Sequence, residues 1–97
     1  MSYSDDVIQK VWEKAAVVKG YNPHVLRKDP WGAWIIREHY GHRGSEYAWE
    51  IDHIDPDAVK ADLENLRPLQ WENKSFRQGN QLLGQVTALH ATNMRIR

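Results

Sequence analysis

The 97-residue sequence predicts an α+β domain: a short β-hairpin followed by a helix, with an N-terminal helix before it and an additional strand or loop region. Three observations predict it. Apolar residues recur at helical spacing near the N-terminus. Residues 46–54 alternate as a strand does and stop at Asp55-Pro56. A second short apolar run at 66–69 passes straight into a helical segment.

The elements follow in order. Ser4 is placed to cap a helix over 4–19, with Asp5 and Asp6 favourable in its first turn. Val7, Ile8, Val11, Trp12, Ala15 and Val18 form its apolar face, and Gly20 is a plausible stop. Asn22-Pro23, Asp29-Pro30 and Gly32 mark residues 21–33 as a loop with turns. Residues 33–40 read as a strand or short buried segment, and Gly41 to Ser45 as a turn. The strand at 46–54 ends because proline cannot continue a ladder. A polar loop runs to Glu64. Leu66 to Leu69 is a short strand, at an edge because of Pro68. Trp71 to about Asn80 is a short helix. Residues 85–96 fit a strand, half of a hairpin or a helix. The whole reads as one domain over 1–97, with its core at about 46–80 and a C-terminal extension at 81–97.

A chain this short buries only roughly 60 % of its unfolded surface, so its core is small. Five tryptophans and four tyrosines add buried area per residue. Trp12, Trp34, Trp49 and Trp71 sit where core packing is the favoured reading. Trp31, between Pro30 and Gly32, is the best candidate for an exposed ring. With no cysteine there is no disulfide framework, and no zinc knuckle is expected. No apolar run reaches the length of a membrane span, and the acidic start does not resemble a secretory signal. A cytoplasmic protein with no membrane contact is the expectation.

Thirteen basic residues balance thirteen acidic ones, which argues against a strong non-specific nucleic-acid binder. The distribution is uneven. Residues 50–64 are acidic, and Arg67, Lys74, Arg77, Arg95 and Arg97 follow. Such a pattern suits a cation site beside a phosphate track, or simply a mixed solvated surface.

Asp52-His53 is the most chemical dipeptide. A carboxylate suits Mg²⁺ and a neutral imidazole can take a proton from water near neutral pH. Together they are the minimum for metal-assisted phosphodiester hydrolysis. Alone, the pair is an ordinary strand end. In context it is more specific: Trp49-Glu50-Ile51-Asp52-His53-Ile54-x-Pro56, then Asp62-Leu63-x-Asn65-Leu66-Arg67-Pro68-Leu69, then Trp71-Glu72-Asn73. These residues, with Tyr40-Gly41 and the Trp12-Glu13-Lys14 helix, resemble the HNH (ββα-metal, or His-Me finger) endonucleases of a small bacterial or phage-type branch.

The resemblance implies a ββα-metal core and a metal-dependent endonuclease hydrolysing DNA. His53 would be the general base and Asn65 the residue tethering the loop between the strands. Asp52 would hold Mg²⁺, or another divalent cation such as Mn²⁺, that stabilises the leaving 3′ oxygen. The family's third position lies nine residues after the central Asn and falls here on Lys74. A charged lysine has no lone pair for a metal. Three arrangements remain open. Asn73, one residue earlier, rotates in as a ligand. Asp52 alone holds the ion with water and substrate. Or Lys74 replaces the metal's charge, giving a catalytically impaired module that binds DNA or a protein partner.

Arg37, Arg43, Arg67, Lys74 and Arg77 are the candidate phosphate contacts, since guanidinium forks match phosphate oxygens. His39 and His42 read more readily as surface histidines than as a zinc pair, and His24 and His90 have no visible partner. Glu50 reads as a salt-bridged strand residue. The small size and balanced charge predict that a homodimer mate or a larger protein partner supplies part of the substrate grip.

Overall fold

The computed structural model describes residues 3–57, 62–78 and 85–96. They form a small mixed α+β domain of two helices and three two-stranded antiparallel hairpins.

Helix α1 spans Asp5–Trp12. Ser4 caps it, its hydroxyl accepting from the Val7 amide at 3.2 Å. The helix stops well short of residue 19. The guanidinium of Arg27 donates to the carbonyls of Glu13 and Ala15, both at 3.1 Å, and takes up carbonyls a continuing helix would use. Ala16 then exchanges both backbone hydrogen bonds with Lys28, at 2.8 and 3.0 Å. Tertiary pairing therefore overrides the apolar continuation of the sequence.

The region expected to be loop contains strand β1, Leu26–Lys28, which pairs with β2, Trp34–Ile36. The turn between them needs Gly32, whose φ is +87°. A Cβ there would lie 2.8 Å from Thr87 Oγ1. A 3₁₀ turn at Arg37–His39 ends β2 earlier than the sequence suggested.

Strands β3, Trp49–His53, and β4, Leu66–Gln70, pair from Trp49↔Gln70 to His53↔Leu66. One face of this hairpin meets α1. Ile8, Val11, Trp12, Ala15, Ile35, Trp49, Ile51 and Leu66 form the buried cluster there. Trp12 and Trp49 lie with ring centroids 5.4 Å apart. Burial of each such large apolar side chain contributes about 1.5–3 kcal/mol. Trp34 is also buried, while Trp31 and Trp71 are half-buried.

Helix α2, Trp71–Gln78, begins at the residue after β4. Gln70 is the joint. Its side-chain oxygen accepts from the amides of Glu72 and Asn73 at 2.9 and 3.1 Å, satisfying donors of the first turn. The open segment 85–96 is a hairpin, with β5 at Val86–Leu89 and β6 at Thr92–Arg95. His90 takes a left-handed conformation in its turn, with φ 55°. Asn93 docks this hairpin on Trp34, bonding its amide at 2.7 Å and its carbonyl at 3.0 Å. Among the described residues no helix is long and apolar enough to cross a membrane.

Candidate functional site

Successive side chains of a strand point to opposite faces. Along β3 this sends Glu50 and Asp52 toward α2, and Trp49, Ile51 and His53 toward α1. Asp52 and His53, read together from the sequence as a metal ligand and a base, thus lie on opposite faces of the strand. The pleat separates them.

Asp52 is deeply covered, its side chain 4 % exposed. Arg67, its ladder partner, donates Nε at 2.9 Å. Arg77, from α2, donates Nη1 at 2.9 and 3.1 Å to the two carboxylate oxygens. Arg77 also reaches the carbonyls of His53 at 2.7 Å and Ile54 at 2.6 Å, so it clamps the end of β3. Most of its donors are thus used inside the fold, and its expected role as a phosphate contact becomes one of support. Two residues back, Glu50 takes both forks of Arg43 at 2.6 and 2.8 Å and meets Lys74 at 3.5 Å. Arg43 beside it, then Lys74, holds the Glu50 carboxyl below its usual range despite partial burial. The same pairing raises Arg43.

His53 is half-buried, opposite Leu66. Among the described residues no hydrogen bond engages its ring. Asn65 spans the loop between β3 and β4. Its oxygen accepts from the Asp55 amide at 2.8 Å and its amide donates to the Asp55 carbonyl at 3.0 Å. Arg37 stands apart from the Asp52 cluster. It stacks over Trp49 at 5.9 Å and bonds Gln9 of α1.

Asn73, offered as a metal ligand, is corrected by its surroundings. It is fully buried. Its amide donates to Asp29 at 3.0 Å and to the Val86 carbonyl at 2.9 Å, while its oxygen accepts from the Val86 amide at 2.6 Å. The side chain behaves as a strand partner for β5, not as a surface donor.

Asn73 leads to the residue that sequence reasoning missed. Asp29 is 3 % exposed. One carboxylate oxygen accepts from the amides of Trp31 and Ala33, each at 2.9 Å. The other accepts from the Gln70 amide at 2.9 Å and from Asn73. Desolvation raises its pKa, although these four hydrogen bonds pull the other way. The Asp-Pro-Trp-Gly turn hinted at the first pair, because Asp commonly bonds the amide two residues on. Nothing local signalled the second.

His39 Nδ1 lies 2.7 Å from Ser45 Oγ, and His42 is exposed. Among the described residues no group of three or more His, Cys, Asp or Glu side chains is placed to hold a metal ion.

Mg²⁺ or Mn²⁺ needs oxygen donors with free lone pairs. Here Asp52 already holds two guanidiniums, Asn73 is turned inward, and the third position is an ammonium. The residues present do not fit a divalent cation.

No protein-family model matches the chain, and neither a curated protein nor a solved structure matches it.

Proposed function

We propose that the chain is an HNH-type domain that grips the phosphodiester backbone of DNA. The observation that carries this reading is the corner between β3 and α2. Four cations, Arg43, Arg67, Lys74 and Arg77, close on two carboxylates, Glu50 and Asp52, which leaves two positive charges over. The β3–β4–α2 order and the Asn65 clasp support the HNH-type assignment, which rests on the motif residues. Phosphate neutralisation by such cations is the main source of sequence-independent affinity.

Fluorescence anisotropy of a labelled duplex across a salt series tests it. Binding that weakens steadily with salt is the expected result. Absence of binding at low salt overturns the proposal.

A second reading, DNA hydrolysis with His53 as general base, is favoured by the partly exposed imidazole, whose ring nitrogens are not engaged among the described residues. A plasmid-nicking assay in EDTA, Mg²⁺ and Mn²⁺ addresses it. Nicking that disappears in His53→Ala supports hydrolysis, and equal nicking by the variant rejects it.

A further inference from the structure

We infer that Arg67 and Lys74 hold the DNA phosphate as fixed charges, so that binding at this corner needs no divalent cation. The inference rests on the reading of the domain as a DNA-phosphate binder.

Donor accounting selects these two residues. A guanidinium has five N–H groups. Arg77 places both Nη1 and Nη2 on the carboxylate of Asp52 and on backbone carbonyls. Among the described residues Arg67 gives Asp52 only its Nε, and neither terminal nitrogen is engaged there. Its side chain is 22 % exposed. Asp52 fixes one edge of that guanidinium, and the Trp31 ring, 5.9 Å from its centre, supports it. It is thus ordered before any ligand arrives, and an oriented fork suits a phosphate.

Lys74 is the second contact. Its side chain is 21 % exposed, and its contact with Glu50, at 3.5 Å, is loose. Glu50 is already engaged bidentately by Arg43, so Lys74 is the weaker partner. Lys74 and Arg77 lie three residues apart on one helix face, as Glu50 and Asp52 lie two apart on one strand face. The ammonium and the Arg67 fork therefore border the same acidic face of β3. A divalent cation at Asp52 would stand beside two guanidiniums and displace at least one. The positive charge that a metal would bring is already built in.

The test is anisotropy of the full chain with a labelled DNA duplex, in EDTA and in millimolar Mg²⁺ at matched ionic strength. The expected result is that Mg²⁺ does not tighten binding: the affinity in Mg²⁺ equals that in EDTA or falls below it, because Mg²⁺ competes for the same phosphates. Each lost phosphate contact should make the slope of log K against log salt shallower by about 0.9 for duplex DNA. Lys74→Gln should show one such step together with a measurable loss of affinity at low salt. Arg67→Gln should lose about tenfold or more, because it removes a charge-assisted fork. A thermal melt of Arg67→Gln accompanies that measurement, since Asp52 then keeps only Arg77. Lys74→Gln removes only the loose contact to Glu50 and keeps the test open whatever the melt shows. Binding that appears or tightens tenfold only with Mg²⁺ or Mn²⁺ overturns this inference and leaves the DNA-binding reading standing. An unchanged slope and affinity in Lys74→Gln overturns the assignment of Lys74. No binding in either buffer overturns the DNA-binding reading, and this inference with it.

Discussion

Replacing Asp29 by Asn should destabilise the domain far more than its isosteric size suggests. All four partners of the carboxylate are donors: the amides of Trp31, Ala33 and Gln70, and Nδ2 of Asn73. Whichever way an asparagine amide turns, its NH₂ faces two of them. Asn73 cannot flip to compensate, because its oxygen and nitrogen are both fixed by the backbone of Val86. Two charge-assisted bonds, at about 1.5–3 kcal/mol each, are lost, and buried donors are left unpaired. Relief of the charge's desolvation offsets part of this, since burial raises the Asp29 pKa. A net loss of about 1.5–3 kcal/mol remains, taking one of the two bonds as offset. For a domain of this size that lowers Tm by roughly 6–24 °C. Urea titration and thermal melts followed by circular dichroism measure it. A loss under about 1 kcal/mol would refute the view that this clasp joins three parts of the fold.

Asn65→Ala should cost about 1–2 kcal/mol by removing two hydrogen bonds to Asp55. Hydrogen exchange at the Asp55 amide should speed up more than exchange in α1. His90→Gly should raise stability by about 1 kcal/mol, because a left-handed conformation strains a side chain with a Cβ; an unchanged melt would contradict that. The pH profile should show two opposed slopes. The raised Asp29 pKa means that the folded state keeps a proton the unfolded chain has released. Its contribution is therefore full below the ordinary value of 3.8 and is lost as pH rises through the raised value. Glu50, lowered by Arg43, contributes above its ordinary value of 4.5 and loses that contribution as pH falls through the lowered one. Glu50→Gln should flatten the acid-side loss in a pH series of urea midpoints, leaving the Asp29 slope in place.

The central hairpin and α2 were legible because their signals are local. Residues 49–53 alternate, Asp55-Pro56 stops the strand, and Trp71 onward shifts to helical spacing. The end of α1 was not, because it is decided by Arg27, a residue outside the helix whose guanidinium collects the carbonyls of Glu13 and Ala15. Strand β1 was hidden for the same reason: Leu-Arg-Lys carries no alternation, and its partners lie at residues 16 and 34–36. The β5–β6 hairpin lacks the Gly or Asn that usually marks such a turn, and His90 stands in that place. At the candidate site, the residue types were readable and their orientations were not. Asn73 looked like a surface donor because the sequence does not reveal that Asp29 and Val86 bracket it. Pairing of Asp52 with both Arg67 and Arg77 likewise depends on the register of β3 with β4 and on the angle at which α2 lies across them.

The absence of any linker between β4 and α2 fixes that angle. Strand becomes helix within one peptide unit, and the glutamine at the junction braces the first coil from inside. An articulation of this kind has no hinge to swing on. The bracket it makes therefore carries the β3 carboxylates and the α2 cations as one unit.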